Sequence, residues 1–196
     1  MAKLYFRYGA MNSGKSLDLL AVNHVYEEQG KKTLLFKPAI DTRSNYIESR
    51  IGVKKSCYKI NIGFNIEKYI NNYVLSNKEK IDCILVDEAQ FLTEEHVKQL
   101  SNISYKLDIP VICYGLKNTY IDGELFSGSK TLLYYADRIE EIKTTCELCN
   151  KKATMNLRVV NGIPVYNGDA IEIGDIKGEN RYLSLCKEHY YNYNKK

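Results

Sequence analysis

Residues 9 to 16 read Gly9-Ala10-Met11-Asn12-Ser13-Gly14-Lys15-Ser16, the pattern GxxxxGKS, and no other stretch constrains the chain so tightly. The octapeptide follows a short apolar and aromatic run, KLYFRY, and precedes LDLLAVNHVYEEQG, whose apolar residues recur at helical spacing. Strand, glycine loop and helix in that order make a phosphate cradle. The glycines let main-chain N–H groups close around phosphate oxygens, and the helix N-terminus adds a favourable dipole. Lys15 is placed to reach the β and γ phosphates, and the Ser16 hydroxyl to ligate magnesium (Mg2+) carried with ATP. A glycine-rich turn that merely caps a helix is the competing reading, and the flanking strand and helix argue against it.

Downstream, TLLFKP reads as a second buried strand closed by Pro38, while residues 41 to 58 show no clean period and are expected to form a functional loop or a hairpin. A helix is predicted from Ile66 to Leu75. IDCILVDEAQF is then a continuous apolar strand of the kind buried on both faces, ending in two carboxylates. Thr93, with Glu94 and Glu95 following, opens the next helix as a polar cap with acids in the first turn. After Pro110 comes a third apolar strand, VICYG. Strands alternating with helices imply an α/β fold, a parallel sheet with flanking helices and ligands at the carboxyl ends of the strands. This nucleotide-binding domain is expected over residues 1–138. Residues 139–196, rich in glycine, asparagine and short β-like runs, are expected to form a small loop-rich lobe.

In such a fold Asp87 holds the magnesium complex directly or through water. Glu88, alternating to the other side of the strand, can face a water or an acceptor hydroxyl, and both readings make it a base. Capping of the next helix or a surface ion pair is the alternative. Phosphoryl transfer and water-directed ATP hydrolysis both fit this pair. The string DEAQ is shared with nucleic-acid helicases, but those need two such domains, and 196 residues do not hold them.

Cys83 and Cys113 lie inside apolar runs, where a cysteine packs as a small hydrophobe. Cys146-x-x-Cys149 and Cys186-x-x-His189 are different, because each pair has the spacing that grips one tetrahedral zinc (Zn2+) from a tight knuckle. Four protein ligands leave no open position, so such a zinc is structural and staples a lobe too small to hold itself together. The 36 residues between Cys149 and Cys186 then form a large loop. His24 and His96 sit alone in helices and are read as structural. The formal charge of +4 is an interspersed balance, and no basic stripe is interleaved with the 17 tyrosines, which argues against a nucleic-acid-binding zinc ribbon. With no long apolar run and no signal-peptide pattern, the expectation is a cytoplasmic protein without a membrane partner.

Taken together, GAMNSGKS, ILVDEAQF, CYGLKNTYIDGELFSGS, CELC and RYLSLCKEHY resemble the type II thymidine kinases, five motifs in one order over nearly the whole chain. The resemblance implies transfer of the γ-phosphate of ATP to the 5′-hydroxyl of thymidine, with Glu88 as general base and Arg43 of DTR near the transferring phosphate. It also implies a lasso loop, residues 150 to 185, closing over the nucleoside. By motif, Phe91, Leu116, Tyr120 and Phe126 line the thymine pocket, with Tyr120 standing where phenylalanine is usual. Tyr182, and by position Ile173 and Gly174, belong to the lasso contacts. A homotetramer and feedback inhibition by thymidine triphosphate (dTTP) complete what the resemblance implies.

Overall fold

Three strands whose residues are all buried form the centre of the larger sheet, and their alternation sorts one core into two. The computed structural model describes residues 1–40, 45–169 and 180–193 of the chain. Its elements run β1 (Leu4–Tyr8), α1 (Lys15–Glu28), β2 (Thr33–Pro38), β3 (Tyr46–Glu48), β4 (Lys54–Ser56), β5 (Tyr58–Ile60), α2 (Ile66–Asn77) and β6 (Cys83–Val86). A 3₁₀ turn (Ala89–Phe91), α3 (Glu94–Lys106), β7 (Val111–Gly115), α4 (Ser127–Tyr135) and β8 (Arg138–Glu141) follow. The chain then forms β9 (Met155–Val160), β10 (Ile163–Val165), β11 (Asn180–Leu185) and α5 (Lys187–Tyr191).

The six-stranded sheet has the order β5-β2-β6-β7-β1-β8, and every pairing in it is parallel. Leu34, Phe36, Ile84, Val86, Val111 and Cys113 point to one face, against Ile66 and Ile70 of α2, Val97 and Leu100 of α3 and Leu132 of α4. Leu35, Cys83, Leu85, Ile112 and Tyr114 point to the other, against Leu19 and Leu20 of α1. Strands covered on both faces need continuous apolar runs, which is why β2, β6 and β7 were legible. Asn65 caps α2 by accepting from the Lys68 amide at 2.7 Å, and Thr93 caps α3 in a reciprocal box with His96. His96 is thus occupied structurally, as expected, and burial lowers its pKa.

Residues 46 to 56 form an antiparallel hairpin, β3 with β4, and β5 beyond it is an edge strand of the main sheet that the sequence did not suggest. At the other edge β8 pairs with β1, so the main sheet extends past Arg138. Beyond β8, the antiparallel sheet β10-β9-β11 packs Leu157, Val159, Leu183 and Leu185 against Tyr190 of α5. All six cysteines are free thiols, and Cys83 and Cys113 are fully buried among apolar side chains. Among the described residues no helix is long and apolar enough to cross a membrane.

Candidate active site

The end of β1 delivers the chain to Gly9, and α1 takes it up at Lys15. A Cβ on Gly9 would overlap the Ser13 hydroxyl and stand 2.6 Å from the Ile142 carbonyl oxygen, so the loop can turn this close to the chain after β8 only with glycine. Asn12 (φ 62°) and Gly14 (φ 81°) are both left-handed, a conformation these two residue types reach cheaply and one found in main-chain anion cradles. Lys15 Nζ donates to the Ala10 carbonyl at 2.8 Å and lies 3.4 Å from both the Gly9 carbonyl and Ser13 Oγ. Burial lowers the Lys15 pKa, the Glu88 and Asp87 carboxylates oppose that, and Arg50 reinforces it. Arg50, in the turn between β3 and β4, is therefore a cation of the same neighbourhood that sequence reasoning left inside a loop.

Although β7 lies between β1 and β6 in the sheet, the carboxyl end of β6 reaches the phosphate loop: Ser16 Oγ donates to Asp87 Oδ2 at 2.8 Å. Asp87 is buried, and burial, with the Glu88 charge second, pushes its pKa up to about 7. An incoming cation would reverse that balance and favour the carboxylate. Glu88 parts from Asp87 by a different device from the expected strand alternation. The strand stops at Val86, and Glu88 turns away through left-handed backbone (φ 50°), without a side-chain capping bond to the 3₁₀ turn that follows. Gln90, which sequence reasoning missed, joins this turn to the chain after β7. Its Nε2 donates to Glu88 Oε2 at 2.5 Å, and its Oε1 accepts from the Leu116 amide at 3.0 Å. An amide two residues past a paired carboxylate was the available signal.

The aromatic candidates fall into two pairs. Phe91 meets Phe126 edge-on with centroids 5.5 Å apart, and Tyr120 meets Tyr182 at 5.9 Å. Leu116 is tied to the first pair's neighbourhood through Gln90 and through its carbonyl, which accepts from Ser129 Oγ at 2.5 Å. Tyr120 is fixed from both ends: its hydroxyl donates to the Asp169 carbonyl at 2.9 Å, and its own carbonyl accepts from the Tyr190 hydroxyl at 2.8 Å. Arg158 stacks over the Tyr120 ring at 5.5 Å. Arg43, Ile173 and Gly174 lie outside the described residues.

Cys146, Cys149, Cys186 and His189 converge, with their ligand atoms all within 4.8 Å of one another. The Cys149 and Cys186 sulfurs are 3.8 Å apart, and His189 Nδ1 lies 3.4 Å from the Cys146 sulfur and 3.5 Å from that of Cys186. A tetrahedron with zinc–sulfur bonds of about 2.3 Å has edges of about 3.8 Å, whereas a disulfide needs about 2.05 Å. The donor set therefore fits zinc. Burial opposes ionisation of Cys146, but the Cys186 and Leu148 amides and the His189 and Cys149 side chains outweigh it and hold the thiol down at about 6.

The family model described as thymidine kinase matches residues 2–190. A thymidine kinase of Streptococcus gordonii is 49% identical over 193 residues, covering 97% of this chain and 97% of the relative. Those of Streptococcus agalactiae serotype Ia and Streptococcus pyogenes serotype M3 are 46% and 45% identical over 194 residues, covering 98% of each chain.

Proposed function

The chain belongs to the thymidine kinase family and has thymidine kinase function, and on that premise we propose how its residues divide the work. ATP gives its γ-phosphate to the 5′-hydroxyl of thymidine, yielding dTMP and ADP. Residues 9 to 16 wrap the phosphates, Lys15 turns its ammonium from loop carbonyls to phosphate oxygens, and Arg43 adds charge near the transferring group. Magnesium, held by Ser16 and Asp87, would neutralise charge on the phosphates. Glu88 accepts the proton of the 5′-hydroxyl. Phe91, Leu116, Tyr120 and Phe126 enclose the base, with Tyr182, Ile173 and Gly174 of the lasso closing over it and excluding water that would otherwise take the phosphate.

The observation that carries this assignment is the 2.8 Å bond from Ser16 to Asp87, because it brings the phosphate loop and the paired carboxylates into one site. The unit boundary is proposed after Glu141 rather than Arg138, since β8 belongs to the main sheet. Cys146, Cys149, Cys186 and His189 would hold a structural zinc that fixes the lobe. Feedback inhibition by dTTP, a homotetramer and a cytoplasmic location belong to the same proposal. A match over residues 2–190 does not favour a water-directed ATPase or a nucleic-acid-binding zinc ribbon.

The test is a nucleoside panel with ATP and magnesium, scored for monophosphate product. Thymidine should give dTMP and stimulate ADP formation. ADP formation independent of nucleoside would replace the kinase by an ATPase.

A further inference from the structure

The small sheet has two chemically different faces. Leu157, Val159, Leu183 and Leu185 turn toward α5, so by strand alternation Asn156, Arg158, Tyr182 and Ser184 lie on the other side. There Asn156 stands directly opposite Ser184 in the β9–β11 register. Both are buried, and both are bound to one residue of the phosphate loop. Asn156 Oδ1 accepts from the Met11 amide at 2.9 Å, and Ser184 Oγ donates to the Met11 carbonyl at 2.5 Å.

The two side chains are themselves anchored. Asn156 Nδ2 donates to the Asn118 carbonyl at 3.2 Å, at the start of the segment that carries Tyr120. The Ser184 amide donates to Glu147 Oε1 at 2.9 Å, and its carbonyl accepts from the Glu147 amide at 3.0 Å. Glu147 lies between Cys146 and Cys149, so the hydrogen-bonded path runs from the cysteine knuckle to the middle of the phosphate loop.

We propose that Asn156 and Ser184 are positioning residues for nucleotide binding, a cross-strand clamp that holds Met11 and thereby pre-forms the loop. This rests on the reading of residues 9 to 16 as the phosphate cradle. Met11 immediately precedes the left-handed Asn12, and an unclamped loop would have to order itself on each binding event, at a cost in affinity. The clamp touches the phosphate side of the site, so it acts on ATP more than on thymidine.

The experiment compares Ser184→Ala, Ser184→Thr, Asn156→Ala and the Ser184→Ala/Asn156→Ala double variant with the parent. ATP Kd is measured by calorimetry, together with thymidine KM, kcat and Tm. Each alanine variant should weaken ATP binding by about tenfold, the value of about 1.4 kcal/mol for a buried hydrogen bond. Thymidine KM should stay within about twofold for Ser184→Ala, and Ser184→Thr, which keeps the hydroxyl, should restore ATP binding. Because both bonds hold the same residue, the double variant should lose less than the product of the single losses. Unchanged ATP affinity with a lowered Tm would make the pair mere glue between two sheets. Equal weakening of ATP and thymidine would mean general loosening of the lobe, and either result overturns the clamp. Should Asn156→Ala fail to fold, Ser184→Ala carries the whole test; should Ser184→Ala fail, Asn156→Ala carries the ATP arm, and unchanged ATP affinity in it overturns the clamp. If the parent itself binds no ATP, the cradle reading falls and the clamp with it; if the parent binds and the variants match it, only the clamp falls.

Discussion

Gly128, in the first turn of α4, sits against the 3₁₀ turn that follows Glu88. A Cβ built on it would lie 2.6 Å from the Ala89 carbonyl oxygen, 2.7 Å from that of Gln90 and 2.8 Å from that of Leu92. Ordinary carbon–oxygen contacts begin near about 3.3 Å, so Gly128→Ala must push helix and turn apart by roughly 0.7 Å. The obstructing atoms are all main chain, and no side chain can swing aside to absorb the shift. Two effects oppose each other: alanine is better than glycine in a helix by about 1 kcal/mol, whereas overpacking costs about 1 to 3 kcal/mol. Three simultaneous contacts place the clash at the upper end, leaving a net loss of about 2 kcal/mol and a Tm lower by about 4 to 8 °C for a chain this size.

The same shift moves Glu88, Gln90 and Phe91. Displacement approaching 1 Å at a reacting group can cost up to about a hundredfold in rate, so kcat should fall by about tenfold or more. The control is Gly63→Ala, where the added Cβ meets nothing within 4 Å and the change should be within about 0.5 kcal/mol. The assays are thermal melting and steady-state kinetics for both variants. A Gly128→Ala enzyme with parental kcat and a Tm at or above the parent's would refute the claim that this helix start fixes the catalytic turn.

Glu88→Gln should lower kcat by about 10² to 10⁴ with little change in ATP or thymidine Kd, because a general base acts in the transition state; retained kcat in a turnover assay would remove it from that role. Glu88→Gly should be more stable than Glu88→Ala by about 1 kcal/mol in denaturant melts, the reverse of the usual order, since glycine holds φ near 50° without the strain that a Cβ brings to alanine. The folded pKa of Asp87 is raised to about 7 from 3.8, so the native state binds the extra proton between those values and stability falls as pH rises through that window. Without metal or nucleotide, the parent's Tm should therefore drop between pH 5 and pH 8 more than that of Asp87→Asn, and parallel curves would refute the assignment. Metal analysis should give one zinc per chain, and Cys149→Ser should lose it, destabilise the small sheet and weaken ATP binding through the Asn156 and Ser184 contacts without abolishing it.

What was legible in the sequence is what depends on near neighbours. β2, β6 and β7 are covered on both faces and so spell themselves in apolar runs, and α3 carries its cap in Thr93. The edge strands β5 and β8 escaped because an edge strand needs neither length nor an apolar pattern: YKI spans three residues and RIEE is polar and half exposed. The phosphate loop, the paired carboxylates and the cysteine–histidine pairs declare themselves by spacing within a few residues. Gln90 is readable only in part, since Glu88 is two residues away but Leu116 twenty-six, and Arg50, Asn156 and Ser184 are not readable at all, because their meaning lies in partners far along the chain, as with Met11 and Ser184, 173 residues apart. A lone buried asparagine or serine in an apolar strand is the trace such a contact leaves, and it gains a direction only when strand register puts the two opposite each other.

The turn after β6 shows why these unread residues matter. Left-handed backbone at a non-glycine residue costs of order 1 kcal/mol and persists only where the surroundings over-determine it. At Glu88 they do so from three sides. Gln90 ties the carboxylate to the chain after β7, Gly115 lets Gln90 approach because a Cβ there would stand 2.7 Å from its Oε1, and Gly128 lets α4 close against the carbonyls of the turn. Each contact comes from a different element, and a cap or a surface ion pair would require none of them. The strain at Glu88 thus places a carboxylate beside Asp87 without continuing the strand, which is the separation that the proposed division between a magnesium-side acid and a substrate-side base requires.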